Sequence, residues 1–381
     1  MQLQWTTITK QTFIQDYWQK QPVVLKQALP GFVDPIEAEE LAGLAMEEFV
    51  DSRIVTNHAG NWQLQQGPFE DFGQFGETNW SLLVQGVDNY YESVQALLKT
   101  VNFIPKWRID DVMVSFSTPG GGVGAHLDQY DVFIIQGQGK RRWQAGNVDT
   151  QLQQSETCAN LLQLDGFAPI LDELLEPGDI LYVPPFSPHC GETIESSLSY
   201  SIGFRAPNGQ ELLSAFADHA IDHDLGQTRY QDDANELGAE RFSPSQNEIN
   251  KLKQQVIDLI KTPGLFERFL NQKLTIATRE LDLVAPICHA TTDNLPDLLQ
   301  EFGEVKKVLG LKSTIITIEQ ETYFMCAGEE FILKQDQLEF VELLNSQSTV
   351  TKINVNSSLN DLENRQLLAT LINQGYWYFD E

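Results

Sequence analysis

Residues 114–143 read VSFSTPGGGVGAHLDQYDVFIIQGQGKRRW, and this run decides the fold. It joins two β-like segments, VMVSFS (112–117) and YDVFIIQGQGKRRWQAG (130–146), through a glycine-rich loop. DILYVPPFSPHC (179–190) and SLSYSIGFRAP (197–207) extend the β-rich stretch. Turn signals punctuate it at Pro119-Gly120, Gly137-Gln138-Gly139, Pro177-Gly178 and Pro184-Pro185. Short strands at this rhythm predict a sandwich or a double-stranded barrel.

The same run carries chemistry. His126 and Asp128 form an H-x-D pair, and side chains two apart on a strand share a face. His189 follows in the proline-rich turn PPFSPHCGET. Two imidazoles and one carboxylate take three positions on one face of an octahedral iron(II) and leave three open. Open positions are what an oxygen-activating centre needs. Arg141 lies on the return strand after Gly137–Gly139. Alternation turns Lys140 and Arg142 to one face and Arg141 to the other. A guanidinium fork there suits a dicarboxylate, and Ser117 adds a hydroxyl for the same carboxylate. The bland alternatives are a hydrogen-bonded strand histidine and a basic surface cluster.

These residues resemble the JmjC-type oxygenases, which use iron(II) and 2-oxoglutarate. VSFSTPGGGVGAHLDQYDVFIIQGQGKRRW and LYVPPFSPHCGETIESSLSYSIGFRAPN look like the bacterial ribosomal oxygenases in particular. Those are cupin-fold arginine hydroxylases of large-subunit ribosomal protein sixteen. The resemblance covers residues 100–210; downstream it rests on layout. It implies His126, Asp128 and His189 as iron ligands, with Arg141 and Ser117 as 2-oxoglutarate contacts and dioxygen as second cosubstrate. One departure from wider JmjC relatives is arginine, rather than the common lysine, at position 141. The bacterial arginine hydroxylases share it.

Strand parity then nominates a substrate pocket. If Ser117 faces the site, so do Ser115, Met113 and Asp111. Asp111 offers a carboxylate to a guanidinium and Met113 an apolar wall. Tyr130 stands two residues after Asp128, and Ser201 is the inward candidate on SLSYSIGF. Asp111, Met113, Tyr130 and Ser201 resemble the family's arginine pocket. Each is otherwise a satisfied core polar residue or a surface group.

Two motifs are set aside. Gly120-x-Gly122-x-x-Ala125 matches a dinucleotide fingerprint, but a strand rather than a helix follows it. His219 and His223 stand at i, i+4 without the glutamate of H-E-x-x-H, and read as a solvated helix face.

Three segments are expected: a JmjC/cupin double-stranded β-helix catalytic domain over 1–207, a helical dimerisation module over 208–273, and a winged-helix-like α+β domain over 274–381. Ser245 and Glu248 form a capping box before INKLKQQVIDLIK. Its apolar face is Ile249, Leu252, Val256 and Leu259. Thr262-Pro263 is expected to open the next helix, with Phe266, Phe269 and Leu270 on its apolar face. Amphipathic stripes need burial, and two-fold pairing of such modules predicts a homodimer.

Charge and composition narrow the partners. The 381 residues include 54 acidic and 25 basic side chains, a formal charge of −29. That surface disfavours direct nucleic-acid binding and favours basic partners such as a ribosomal protein. The N-terminus lacks a signal-peptide core and no apolar run spans a membrane. Cys158, Cys190, Cys288 and Cys326 form no close pair, which fits reduced thiols and a cytoplasmic location. The expected activity is iron(II)- and 2-oxoglutarate-dependent arginine hydroxylation. The rivals are a JmjC protein demethylase and a non-catalytic cupin that binds metal or peptide.

Overall fold

The computed structural model describes residues 3–234, 237, 241–355 and 358–380. Its contacts divide the chain into two compact units. The first holds Met1–Ala206 with the short segment Thr278–Asp282. The second holds Pro207–Ala277 and Leu283–Glu381.

The first unit carries strands β1 (Val23–Leu25), β2 (Ser52–His58), β3 (Asn61–Gln66), β4 (Trp80–Val84), β5 (Ile109–Ser117), β6 (Asp131–Gln136), β7 (Lys140–Gly146), β8 (Ser155–Cys158), β9 (Leu161–Gln163), β10 (Pro169–Leu175), β11 (Ile180–Val183), β12 (His189–Glu195) and β13 (Ser197–Phe204). An antiparallel sheet runs β1-β11-β6-β13-β5-β4-β2-β3, and a smaller one runs β10-β7-β12. Alternation gives the large sheet two faces. Val112, Val114, Phe133, Ile135, Tyr182, Tyr200 and Ile202 join the main core with the N-terminal Phe13 and Leu41. Val132, Ile134, Leu181 and Val183 point the other way, onto Trp143 and Leu175 of the small sheet. Both faces of β6 and β11 are therefore covered, which is why they read as unbroken apolar runs. The two layers make the expected double-stranded β-helix.

Some local expectations are corrected. QPVVLKQAL forms only the three-residue β1, because Gln27 turns with φ +50. PIEAEELAGLAMEEFV is helical only over Ala38–Leu44. The chain tightens there beyond Gly43, and the Ala45 carbonyl accepts from the Phe69 N–H. YYESVQALLKTV divides into an α-turn at Glu92–Gln95 and a 3-10 segment at Ala96–Val101.

In the second unit, helices Gly209–Asp222, Gln246–Ile260 and Leu265–Thr275 come first. The Ser245/Glu248 capping box is present. Thr262-Pro263 does not open the following helix; Gly264, in a left-handed conformation at φ +74, caps it. Helices Leu295–Phe302, Leu338–Ser346 and Leu362–Asn373 follow, with two three-stranded sheets. Leu299, Val305, Phe324, Phe340, Leu368 and Trp377 share one α+β core. Among the described residues no helix is long and apolar enough to cross a membrane. The four cysteines are unbridged.

Candidate metal centre and adjoining pockets

The glycine loop builds the site. Gly120 N–H donates to the Thr193 carbonyl (2.8 Å), and Thr193 N–H donates to that of Gly121 (3.1 Å). The loop thus lies along β12 as an added edge. Side chains have no room there: a Cβ at Gly122 would stand 2.4 Å from the Gly191 carbonyl oxygen, and one at Gly121 2.3 Å from that of Trp80. Gly120 and Gly124 also take φ of +76 and +82.

The loop delivers His126 opposite His189, in an isolated antiparallel bridge. The H-x-D pair is therefore not part of a regular strand, as parity alone implied. The bridge and a 2.7 Å bond from Phe186 N–H to the Asp128 carbonyl hold it instead. One ligand atom from each of His126, Asp128 and His189 lies within 4.8 Å of the others. His189 Nε2 is 3.7 Å from Asp128 Oδ2.

The tautomers follow from geometry. His126 Nδ1 is 3.0 Å from the Gly124 carbonyl and His189 Nδ1 is 3.1 Å from that of Ser187. A carbonyl only accepts, so each Nδ1 carries the hydrogen and each Nε2 keeps its lone pair. Burial, and then His126, pull the His189 imidazole down to about 4. It is a neutral donor at neutral pH. This set of two imidazoles and a carboxylate fits a divalent transition metal.

Arg141 and Trp143 point inward from β7. Arg142 points outward and pairs with Asp172 at 2.7 and 2.6 Å, while Lys140 meets Glu176. Arg141 is only 5% exposed. Its guanidinium stacks over Trp143, and one nitrogen donates to the Gly191 carbonyl at 3.3 Å. Its Nε has no partner, and among the described residues it pairs with no carboxylate. Burial pulls it down to about 10, still cationic at neutral pH. The buried Thr193 hydroxyl, directly across from Arg141, also lacks a partner. Sequence reasoning missed Thr193, although its parity with His189 and Gly191 was available. An unpaired buried cation beside an unpaired hydroxyl fits an anionic ligand. Ser117 is fully buried, bonded to the Ser81 hydroxyl at 2.7 Å.

Asp111, Met113 and Ser201 lie on one face of β5 and β13 in the large sheet, and Tyr130 precedes β6. Ser197 pairs with Ser117, Ser199 with Ser115 and Ser201 with Met113. Met113 packs against Val55, Leu83 and Leu161. Asp111 is buried, and one carboxylate oxygen accepts from the Gly86 N–H at 3.0 Å. Tyr130 is partly exposed. Burial, and then the charges of Asp128 and Asp111, push its phenol up. Arg279, which sequence reasoning also missed, contacts Asp111.

Neither set-aside motif takes up the dinucleotide or zinc role its pattern suggests. The Gly120–Ala125 run leads into β6, with no helix at its end. His223 caps the helix Gly209–Asp222, and His219 packs on Phe216 and Phe269.

Comparison with known proteins agrees with this architecture. The JmjC domain family matches residues 96–212, and the ROXA-like winged helix matches residues 255–378. The ribosomal protein uL16 3-hydroxylase of Escherichia coli (strain K12) is 42% identical over 98% of both chains. An X-ray structure of E. coli YcfD, 42% identical, superimposes with a TM-score of 0.91 and covers 100% of both chains. The structure of YcfD, a ribosomal oxygenase, in complex with cobalt and 2-oxoglutarate gives 0.88 at 41% identity, covering 100% of this chain and 99% of that one. Full-length similarity at this level, joined to a JmjC domain and a ROXA-like winged helix, makes the chain a member of the JmjC-domain ribosomal oxygenases.

Proposed function

We propose that this protein is an iron(II)- and 2-oxoglutarate-dependent dioxygenase that hydroxylates an arginine side chain of the large-subunit ribosomal protein uL16. One observation carries the reading: Trp143, 6.1 Å from the His189 ring of the His126/Asp128/His189 cluster, carries the buried cation Arg141, which has no carboxylate of its own among the described residues. The relatives named as uL16 3-hydroxylase and as a 2-oxoglutarate complex supply the substrate and the cosubstrate.

His126 and His189 would hold the metal through Nε2 and Asp128 through its carboxylate. Iron(II), with 2-oxoglutarate and dioxygen, supplies an oxidant able to place one oxygen atom in an unactivated C–H bond, with succinate and carbon dioxide as co-products. The chain's residues do the rest. Arg141 pairs with the far carboxylate of 2-oxoglutarate, and the Ser117 and Thr193 hydroxyls flank that end. Trp143 shields the pair from water, which strengthens it. Asp111 holds the target guanidinium, and Ser201 donates or accepts beside it. Met113 and Tyr130 bound the aliphatic stem. This directs a carbon, rather than a guanidinium nitrogen, toward the metal.

The domain proposal is catalytic 1–207, dimerisation 208–273 and winged-helix-like 274–381. A homodimer is supported by the helix Gln246–Ile260, which buries none of its residues and leaves Leu252 and Val256 exposed. A net charge of −29 suits a basic ribosomal protein and argues against direct nucleic-acid or membrane-surface binding. Action on a ribosomal protein supports a cytoplasmic location.

The test is intact-mass analysis of purified uL16 after incubation with the protein, iron(II), 2-oxoglutarate and air. A gain of one oxygen atom is expected. Loss of a methyl from a methylated substrate instead would make it a demethylase. Absence of 2-oxoglutarate turnover would make it a non-catalytic cupin.

A further inference from the structure

Asp111, the nominated guanidinium receptor, already has a cation against it. Arg279 Nε lies 3.5 Å from Asp111 Oδ2, and another Arg279 nitrogen lies 3.1 Å from Asp51 Oδ2. Arg279 belongs to Thr278–Asp282, the short segment that packs with the first unit although it lies far downstream in sequence. The Gly86 N–H donates to the same Oδ2 at 3.0 Å. Gly86 has φ +63, and a Cβ there would come within 3.2 Å of Arg279 Cγ. The turn and the arginine stem are thus fitted together.

The two oxygens of Asp111 are used differently. Oδ2 accepts from the Gly86 N–H and forms the ion pair with Arg279. Oδ1 faces Gly203, where an added Cβ would meet it in ordinary contact at 3.7 Å, so the glycine keeps a methyl group off that oxygen. Ser201 lies two residues back on the same face of β13.

We propose that Arg279 is a positioning residue for substrate recognition: tethered by Asp51, it holds Asp111 Oδ2 and thereby presents Oδ1 to the incoming guanidinium beside Ser201. This rests on the arginine-hydroxylase reading and deepens it. The strap Thr278–Asp282 then completes a pocket that the upstream strands leave unfinished.

The electrostatics agree. Burial and the adjacent Asp110 push the Asp111 carboxyl up, while Arg279 and the Gly86 N–H pull it down. A protonated Asp111 has no charge to offer a guanidinium. Without Arg279 the carboxyl protonates at higher pH, and the acid limb of substrate recognition moves up.

The experiment compares full-length wild type with Arg279→Ala, Arg279→Lys and Asp51→Asn. Binding of purified uL16 is measured with manganese(II) in place of iron under nitrogen, and turnover with iron(II) in air across pH. Arg279→Ala is expected to weaken uL16 binding and raise its KM at least ~10-fold, as loss of an opposite charge beside the Asp111 carboxylate implies. The same variant moves the acid limb of kcat/KM to higher pH, with kcat at saturating uL16 changed far less. Arg279→Lys restores part of the loss. Asp51→Asn, which keeps the arginine, shows the same changes in smaller measure and covers the case in which Arg279→Ala does not fold. Unchanged KM and pH profile in these variants would overturn the assignment. Tighter uL16 binding in Arg279→Ala would also overturn it, because the arginine would then be competing with substrate. If wild type itself neither binds nor hydroxylates uL16, the arginine-hydroxylase reading fails first and this inference with it.

Discussion

His126 and His189 are locked together by a reciprocal pair of main-chain hydrogen bonds, 3.0 Å from the His126 N–H to the His189 carbonyl and 2.8 Å in return. Their ring centroids stand 4.2 Å apart. The backbone thus sets the spacing of the two proposed metal donors, which would lower the reorganisation that binding demands.

Asp128→Ala removes the carboxylate from this set while leaving the bridge intact. Metal affinity should fall more than ~100-fold, since even groups that only orient metal ligands are worth ~10–100-fold. Calorimetric titration with manganese(II) measures this, and hydroxylation should disappear. Far-UV circular dichroism should be unchanged, because among the described residues no hydrogen bond of the two sheets runs through the Asp128 side chain. Retained affinity would remove Asp128 from the metal site.

Arg141 gives the second prediction. Burial pulls its guanidinium down to about 10. The sign follows: the folded state disfavours the cation, and that penalty is fully present at neutral pH and relieved only as pH rises through about 10. An anion seated against Arg141 offsets it. Added 2-oxoglutarate, with an inert divalent metal, should therefore raise the melting temperature of wild type. Arg141→Ala should lose most of that rise and need at least ~10-fold more 2-oxoglutarate, because charged hydrogen bonds are worth ~1.5–3 kcal/mol. An undiminished rise would assign the dicarboxylate to another cation.

The sequence made this centre legible for a physical reason: alternation is local. Arg141 follows from Lys140 and Arg142 being outward, and Asp111, Met113 and Ser115 follow from Ser117. Thr193 obeyed the same rule but was overlooked, because GETIE carries no apolar contrast to mark its face. Arg279 was not legible at all. Its contact with Asp111 joins distant parts of the chain, and no periodicity encodes that. Helix limits failed where single residues intervene, as with Gly264 at φ +74 ahead of Leu265–Thr275.

Gly122→Ala tests the loop as a scaffold. The added methyl would stand 2.4 Å from the Gly191 carbonyl oxygen, a contact that backbone must move to relieve. Overpacking of this kind costs ~1–3 kcal/mol. The strain falls between the loop and β12, so His126 should shift relative to His189. Thermal melting should drop and manganese(II) affinity should weaken together. A variant with wild-type affinity and stability would show that the loop can stand off β12 without affecting the metal donors.

The last prediction concerns assembly. The helix Gln246–Ile260 has a Ser245/Glu248 capping box at its start, yet it buries none of its residues. Leu252 is 44% and Val256 54% exposed, with Ile257 beside them at 39%. Arg241 and the Ser245 N–H hold the Glu248 carboxyl down at about 2, so the cap stays charged under ordinary conditions and the helix start persists. An apolar stripe on a well-capped helix requires a partner surface. A second copy would supply the same stripe in a closed two-fold arrangement, the commonest for soluble oligomers. Light scattering at micromolar concentration should therefore report twice the 43.1 kDa chain mass. Leu252→Glu with Val256→Glu places four charges in a two-fold seam and should yield monomer, with the catalytic sheets unaffected. A wild-type monomer would reject the dimer. A dimer that survives both substitutions would move the interface away from this helix.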